Sequence, residues 1–172
     1  MPVHIVLLRA VNVGGTGKLP MAELKSMCLE EGFKNVETYI ASGNVVLESS
    51  AAPARVKARL EKRLAAYAGK PVGVIIRSSA EMAAVLKANP FPKAAPNRTV
   101  AIFLDTPPTT DAFKNLKGLN GEELRLGKCE IYVYYGDGMA DSKLVIPAAK
   151  SGTARNMNTV AKLVAMAAKH AE

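Results

Sequence analysis

Apolar and polar positions change their period several times along the chain, and each change marks an element. "VHIVLLRAV", near the start, is an almost unbroken apolar run of strand length, which predicts a buried strand. "PMAELKSMCLEEG" switches to helical spacing, with Met21, Leu24, Met27 and Cys28 on one stripe, Pro20 near its first position and Gly32 as its stop. "VETYIA" and "VVLES" flank "SGN", whose small and φ-tolerant residues predict a hairpin. "PARVKARLEKRLAAYAG" repeats apolar residues at Val56, Leu60, Leu64 and Tyr67, a helix, and "PVGVIIRS" is another strand. The first part therefore runs βαββαβ.

A helix over "SAEMAAVLKAN" comes next, closed by Pro90 and Pro92 of "NPFPKAAPN", a linker. Beyond it the pattern predicts a strand at "RTVAIFLD", a short helix around "TDAFKNL", a strand pair at "EELRLG" and "EIYVYYG", and a C-terminal helix over "NMNTVAKLVAMAAKHA". That series runs βαββα. The recurring order predicts an α+β fold of two ferredoxin-like (βαββαβ-type) subdomains, antiparallel sheets with helices packed on one face. Boundaries fall at 1–78 for the first, 79–97 for the helix and linker, and 98–172 for the second.

Composition narrows the picture. In 172 residues, 49% are hydrophobic, enough for a real core and against disorder. Lys plus Arg number 23 against 15 Asp plus Glu, a net charge of +8 that favours phosphate-bearing partners. No apolar stretch reaches the ~20 residues of a membrane helix, and the N-terminus lacks the basic leader and cleavage site of a signal peptide. Cys28 and Cys129 have no metal-ligand spacing and are expected as reduced thiols in a cytoplasmic protein. Asp137 and Asp141 are too few and too loosely spaced for a calcium loop, so no metal and no cofactor are expected.

The loop "VNVGGTGKLP" invites comparison with phosphate-binding loops. Gly17 and Lys18 match the end of G-x-x-x-x-G-K-[S/T], but Asn12 stands in place of its first glycine and Leu19 in place of its hydroxyl. G-x-G-x-x-G fails as well, because Pro20 occupies the third glycine position. What remains is a set of backbone amides and Lys18 before a helix, a place that favours an anion, or simply a glycine-rich turn. "SGTARNMNT" repeats the logic. Thr153 or Asn156 would cap the last helix, while Arg155 and Asn158 on its first turn would grip a phosphate or carboxylate. Arg155 opposes the helix dipole there, so it calls for an anion or an internal acidic partner.

Other features have plain structural readings. His4 and His170 are expected as core or surface residues, and the basic run from Arg55 to Arg63 as a solvated outer face, with steering of nucleic acid as the alternative. Phe103, Tyr132 and Tyr135 fall near the stacking positions of an RNA-recognition motif, but the match is incomplete. Alternation puts Tyr132 and Tyr134 on one face, where burial is favoured over exposure for stacking.

"LLRAVNVGG", "TYIASGNVV", "NPF" and "TARNMNT" follow one another as in the bacterial family called domain of unknown function 1697, which the chain resembles over almost its whole length. It departs from that pattern at Ala10, usually a glycine, and at Met157, usually a tryptophan. The resemblance implies a two-part α+β fold and no particular activity. The motif residues Arg9, Asn12, Gly14, Gly15, Lys18, Ser42, Asn44, Arg155, Asn156 and Asn158 contain no carboxylate and no histidine. This inventory suits binding: the expected protein holds a phosphorylated small molecule or nucleic acid in a groove between its halves, with no membrane partner. Two alternatives stay open, an enzyme of phosphoryl or acyl transfer type using the same anion-binding groups, with Ser42 as its hydroxyl, and a protein-interaction module offering its sheet edges.

Overall fold

Apolar side chains on both sides of a strand demand cover on both sides, and the first element shows this. The computed structural model describes residues 1–9 and 18–170. In it the N-terminal run forms β1 (Val3–Leu8), followed by α1 (Met21–Glu30), β2 (Lys34–Tyr39), β3 (Asn44–Glu48), α2 (Pro53–Ala68), β4 (Val74–Ser78) and α3 (Ser79–Lys87). The rest comprises β5 (Thr99–Phe103), β6 (Glu123–Leu126), β7 (Glu130–Tyr134), β8 (Thr153–Asn156) and α4 (Met157–His170), with short 3-10 turns between. This is a mixed α+β chain with two four-stranded antiparallel sheets, ordered β2-β3-β1-β4 and β6-β7-β5-β8. It divides into two compact units, Met1–Met82 with the segment from Leu163 onward, and Ala83–Lys162.

In the first unit, β1 pairs antiparallel with β3 and β4, and register places Val6, Leu8, Val45, Leu47 and Val74 on one face. Against it pack Leu24, Met27 and Cys28 of α1 and Val56, Leu60 and Leu64 of α2. Pro53 opens α2 at a first-turn position, where its missing N–H costs nothing, and Gly69 closes it at φ 73. Tyr67, expected on the buried stripe, is 46% exposed because the helix ends one residue after it. The opposite face, with Ile5, Leu7 and Val46, is equally dry. There the end of α4 meets the sheet, since His170 reaches Glu37 and Glu48, which register puts on that face. α1 and α2 thus cover one face, and the last described residue of α4 reaches the other.

The second unit repeats the strand order with different material. Val100, Ile102, Leu104, Ile131 and Val133 form one face, covered by irregular segments that carry Phe113, Leu116, Tyr135, Leu144 and Ile146. The expected helix around "TDAFKNL" is a series of turns at 110–115, and Asn115 takes a φ of 63 that a helix does not tolerate. β8, unforeseen, pairs with β5 and completes the sheet. On the other face Tyr132 is 2% exposed and its hydroxyl donates to the Val85 carbonyl of α3 at 2.8 Å. Phe103 is fully buried too. Neither ring is available for base stacking.

Two outcomes test this packing. Leu60→Ala should cost about 2–5 kcal/mol in urea denaturation, against less than about 0.5 kcal/mol for removing exposed surface such as the Tyr67 ring. Burial, followed by the Glu31 charge, pushes the Cys28 thiol up to about 12. In the native state at weakly alkaline pH a thiol reagent should therefore react far more slowly at Cys28 than in denatured protein, where both cysteines should react at once.

Candidate functional site

The C-terminal end of β1 gathers three of the residues singled out by sequence. Past Leu8 the strand continues its hydrogen bonding on both sides: the Leu8 amide donates to Gly43 at 2.9 Å and the Arg9 amide to Gly73 at 2.9 Å. Arg9 is thus held between the β2–β3 connection and the start of β4, with its residue exposed. The Arg9 side chain lies along Gly73, where an added Cβ would stand 3.3 Å from it, a close approach that a glycine accommodates. Lys18 is exposed just ahead of Pro20 and α1. Asn12, Gly14 and Gly15, central to the anion-binding expectation, lie outside the described residues.

The "SGN" segment is the hairpin connection that was expected, and its geometry is specific. Tyr39 pairs with Asn44, so the loop consists of residues 40–43. Asn44 is fully buried, and its amide donates to the Tyr39 carbonyl and the Ser42 hydroxyl oxygen, both at 2.9 Å. That side chain builds the turn. Gly43 adopts φ 89, which suits glycine, but Ile40 adopts φ 49, an uncommon value for a β-branched residue, while 49% exposed. The turn that borders Arg9 therefore carries backbone strain.

The "TARNMNT" segment departs from expectation. Arg155 is not on the first turn of a helix but in β8, opposite Ala101, and is 6% exposed. Its guanidinium donates to the Thr153 hydroxyl at 2.7 Å and the Ala154 carbonyl at 2.9 Å. Burial draws its pKa down to about 10, and at neutral pH it remains a cation inside the unit. Thr153 lies in β8 and accepts from Arg155. The cap is Asn156, whose side-chain oxygen receives the Thr159 amide at 2.9 Å. Asn158 is exposed on the first turn of α4. The second unit thus contributes one surface residue of the three expected from it.

Other features bear on chemistry. The ring of His4 is buried and lies 3.2 Å from the Ser49 carbonyl, and His170 is bound to Glu48, so neither histidine serves Ser42. In "NPF", Asn89 accepts the Phe91 amide at 2.9 Å, and the Phe91 ring lies 6.0 Å from that of Tyr134 in a tilted contact and 5.6 Å from the Arg125 guanidinium, both of its own unit. That motif is a structural turn with an aromatic anchor. A hollow of about 830 Å³ in the second unit is lined by Glu122, Tyr135, Asp137, Asp141 and Lys143 among others, and by none of the predicted site residues. Its acidic lining suits an anion poorly. No group of three potential metal ligands occurs among the described residues, and no helix among them is long and apolar enough to cross a membrane.

A two-unit α+β fold with a hairpin-bordered, cationic strand end defines a class of protein without a set activity. Its family is defined by sequence: residues 1–132 match the model of the family "Protein of unknown function (DUF1697)", and the chain belongs to that family. The solved structure of the conserved bacterial protein SP0830 from Streptococcus pneumoniae is similar, with 26% identity, a TM-score of 0.78, and 96% of this chain and 98% of that one covered. No curated protein matches the sequence.

Asn44→Ala leaves the half-buried Tyr39 carbonyl without its side-chain donor and should cost about 1–3 kcal/mol in a denaturant titration. The same loss should make the 40–43 loop an early site of limited proteolysis.

Proposed function

We propose that the protein binds a phosphate-bearing ligand, a nucleotide or a nucleic acid, at the C-terminal end of β1, with Arg9 and Lys18 supplying the charge. The observation that carries this reading is the fixed, exposed position of Arg9, anchored through its own amide to Gly73 and bordered by the Ser42–Asn44 turn through Leu8. Strain at Ile40 supports it, because strained backbone concentrates at sites where geometry serves a ligand. So does charge. On the outer side of α2, in the same unit, Arg55, Arg59 and Lys62 are exposed at helical spacing and add a positive field that draws anions. Arg63, by contrast, is engaged with Glu30 and Glu31.

This reading is narrower than the sequence-based one. Arg155 and Asn44 drop out as ligand contacts, because their polar groups serve the interior; Asn12, Gly14 and Gly15 lie outside the described residues. The strand order and the helical crossovers of the first unit also support a ferredoxin-like arrangement there, which the second unit repeats with irregular crossovers.

A fluorescent nucleotide and a short labelled RNA, titrated at several salt concentrations, test the proposal. Arg9→Ala and Lys18→Ala should each weaken binding about tenfold, the loss of one charge-assisted contact. For RNA each should also lower the slope of log affinity against log salt by roughly one. Absence of binding at low salt, or affinity unchanged in the double variant, overturns it.

A further inference from the structure

The end of α4 holds a buried arrangement that the proposed ligand site does not use. The side chain of His170 is 5% exposed and lies between two carboxylates, with Nδ1 3.0 Å from Glu48 Oε2 and Nε2 3.7 Å from Glu37 Oε1. Glu37 belongs to β2 and Glu48 to β3, so one imidazole on α4 addresses two neighbouring strands. The Asn35 amide donates to the same Glu48 oxygen. Lys169 lines the same cleft of about 330 Å³, and the N-terminal amine acts on Glu48 through its charge. Nε2 is enclosed, yet among the described residues it has no hydrogen-bond partner.

Metal binding does not explain the cluster. The two ring nitrogens point to different carboxylates and so do not converge on one ion. Proton chemistry does. An imidazolium has two N–H donors, while a neutral imidazole has one donor and one acceptor. With the proton on Nδ1 serving Glu48, a neutral ring turns the lone pair of its enclosed Nε2 toward the Glu37 carboxylate. The other tautomer serves Glu37 and deprives Glu48. Only the cation satisfies both sides.

We propose that His170 is a proton-operated clamp: protonated, it ties the end of α4 to both β2 and β3, and on losing its proton it releases one of them and loosens the segment from Leu163 to His170. The Glu48 carboxyl is held below its ordinary value, chiefly by the Asn35 amide and then by His170. A lowered carboxyl contributes stability above its unfolded pKa and loses it as pH falls through the folded one, which sets the acid limit of the clamp. Loss of the imidazolium proton sets the alkaline limit.

Amide hydrogen exchange over residues 163–170, corrected for the intrinsic pH dependence of exchange, tests the clamp in the full chain. In wild-type protein, protection should fall at least about threefold between roughly pH 5.5 and pH 8. The fall should vanish in His170→Gln, whose amide does not titrate, and shrink in Glu37→Gln, a change at an exposed residue that leaves the fold intact. Equal protection at the two pH values in wild type, or an undiminished fall in both variants, overturns the proposal.

Discussion

Each sheet is organised around a central strand that is dry on both faces. His4 to Leu8 of β1 are all buried, as are all five residues of β5, and a strand so placed needs two covering layers. For the first sheet these are α1 with α2 on one side and the end of α4 on the other; for the second they are irregular crossovers on one side and, on the other, the stretch from α3 to Phe91. Polar groups taken into these layers carry partners with them. His4 meets a carbonyl, Thr99 donates to Ala95, Arg77 donates to Ile76 and Glu130 accepts from the Cys129 amide. Burial without such bonds would cost more than the apolar contacts return.

Much of this was legible in the pattern of residues, for reasons that differ by element. β1 announces itself by an unbroken apolar run, and α1 and α2 by apolar residues three and four apart with a glycine at the exit. The hairpin follows from "SGN", although its loop begins at Ile40, two residues earlier, because Asn44 is drawn into the strand by the bonds its side chain makes to Tyr39 and Ser42. Failures came where apolar residues serve an irregular backbone. Phe113 and Leu116 pack on the second core from turns, so their spacing imitates a helix that tertiary contacts do not form. β8 escaped because it is four residues long and mostly polar. In the fold Thr153, Arg155 and Met157 are buried while Ala154 is exposed, the alternation of a strand, but the buried positions of β8 are polar, so apolar periodicity does not show it.

The candidate site was legible in part. Arg9 follows Leu8, whose amide donates to Gly43 of the hairpin in which Asn44 donates to Ser42. Arg155 was misplaced because a cation ahead of a helix looks like an anion contact, while its actual environment depends on long-range pairing with β5. Register aligns Arg125, Tyr132, Ala101 and Arg155 across the second sheet on one face, with Glu130 on that face as well. Acidic and basic groups thus enter the same layer, and Arg155 becomes a structural cation whose removal would disturb the sheet before it disturbed any ligand. His170 was set aside as terminal, since nothing in a periodicity reveals that two strands close around the last turn of a helix.

That last turn bears on the independence of the two units. Residues of α4 up to Lys162 belong to the second unit and those from Leu163 to the first, and α3 is divided in the same way at Met82. Met157 and Val160 are buried in the first portion of α4, and Leu163, Met166 and Ala167 in the second. A helix is cooperative along its length, so fraying at one portion is felt in the other. Neither unit therefore owns a complete set of covering elements, and an isolated second unit would have to end in the middle of a helix. α4 thus runs from the second unit into the first, and α3 from the first into the second. His170 stands at the end of that shared helix, between Glu37 and Glu48.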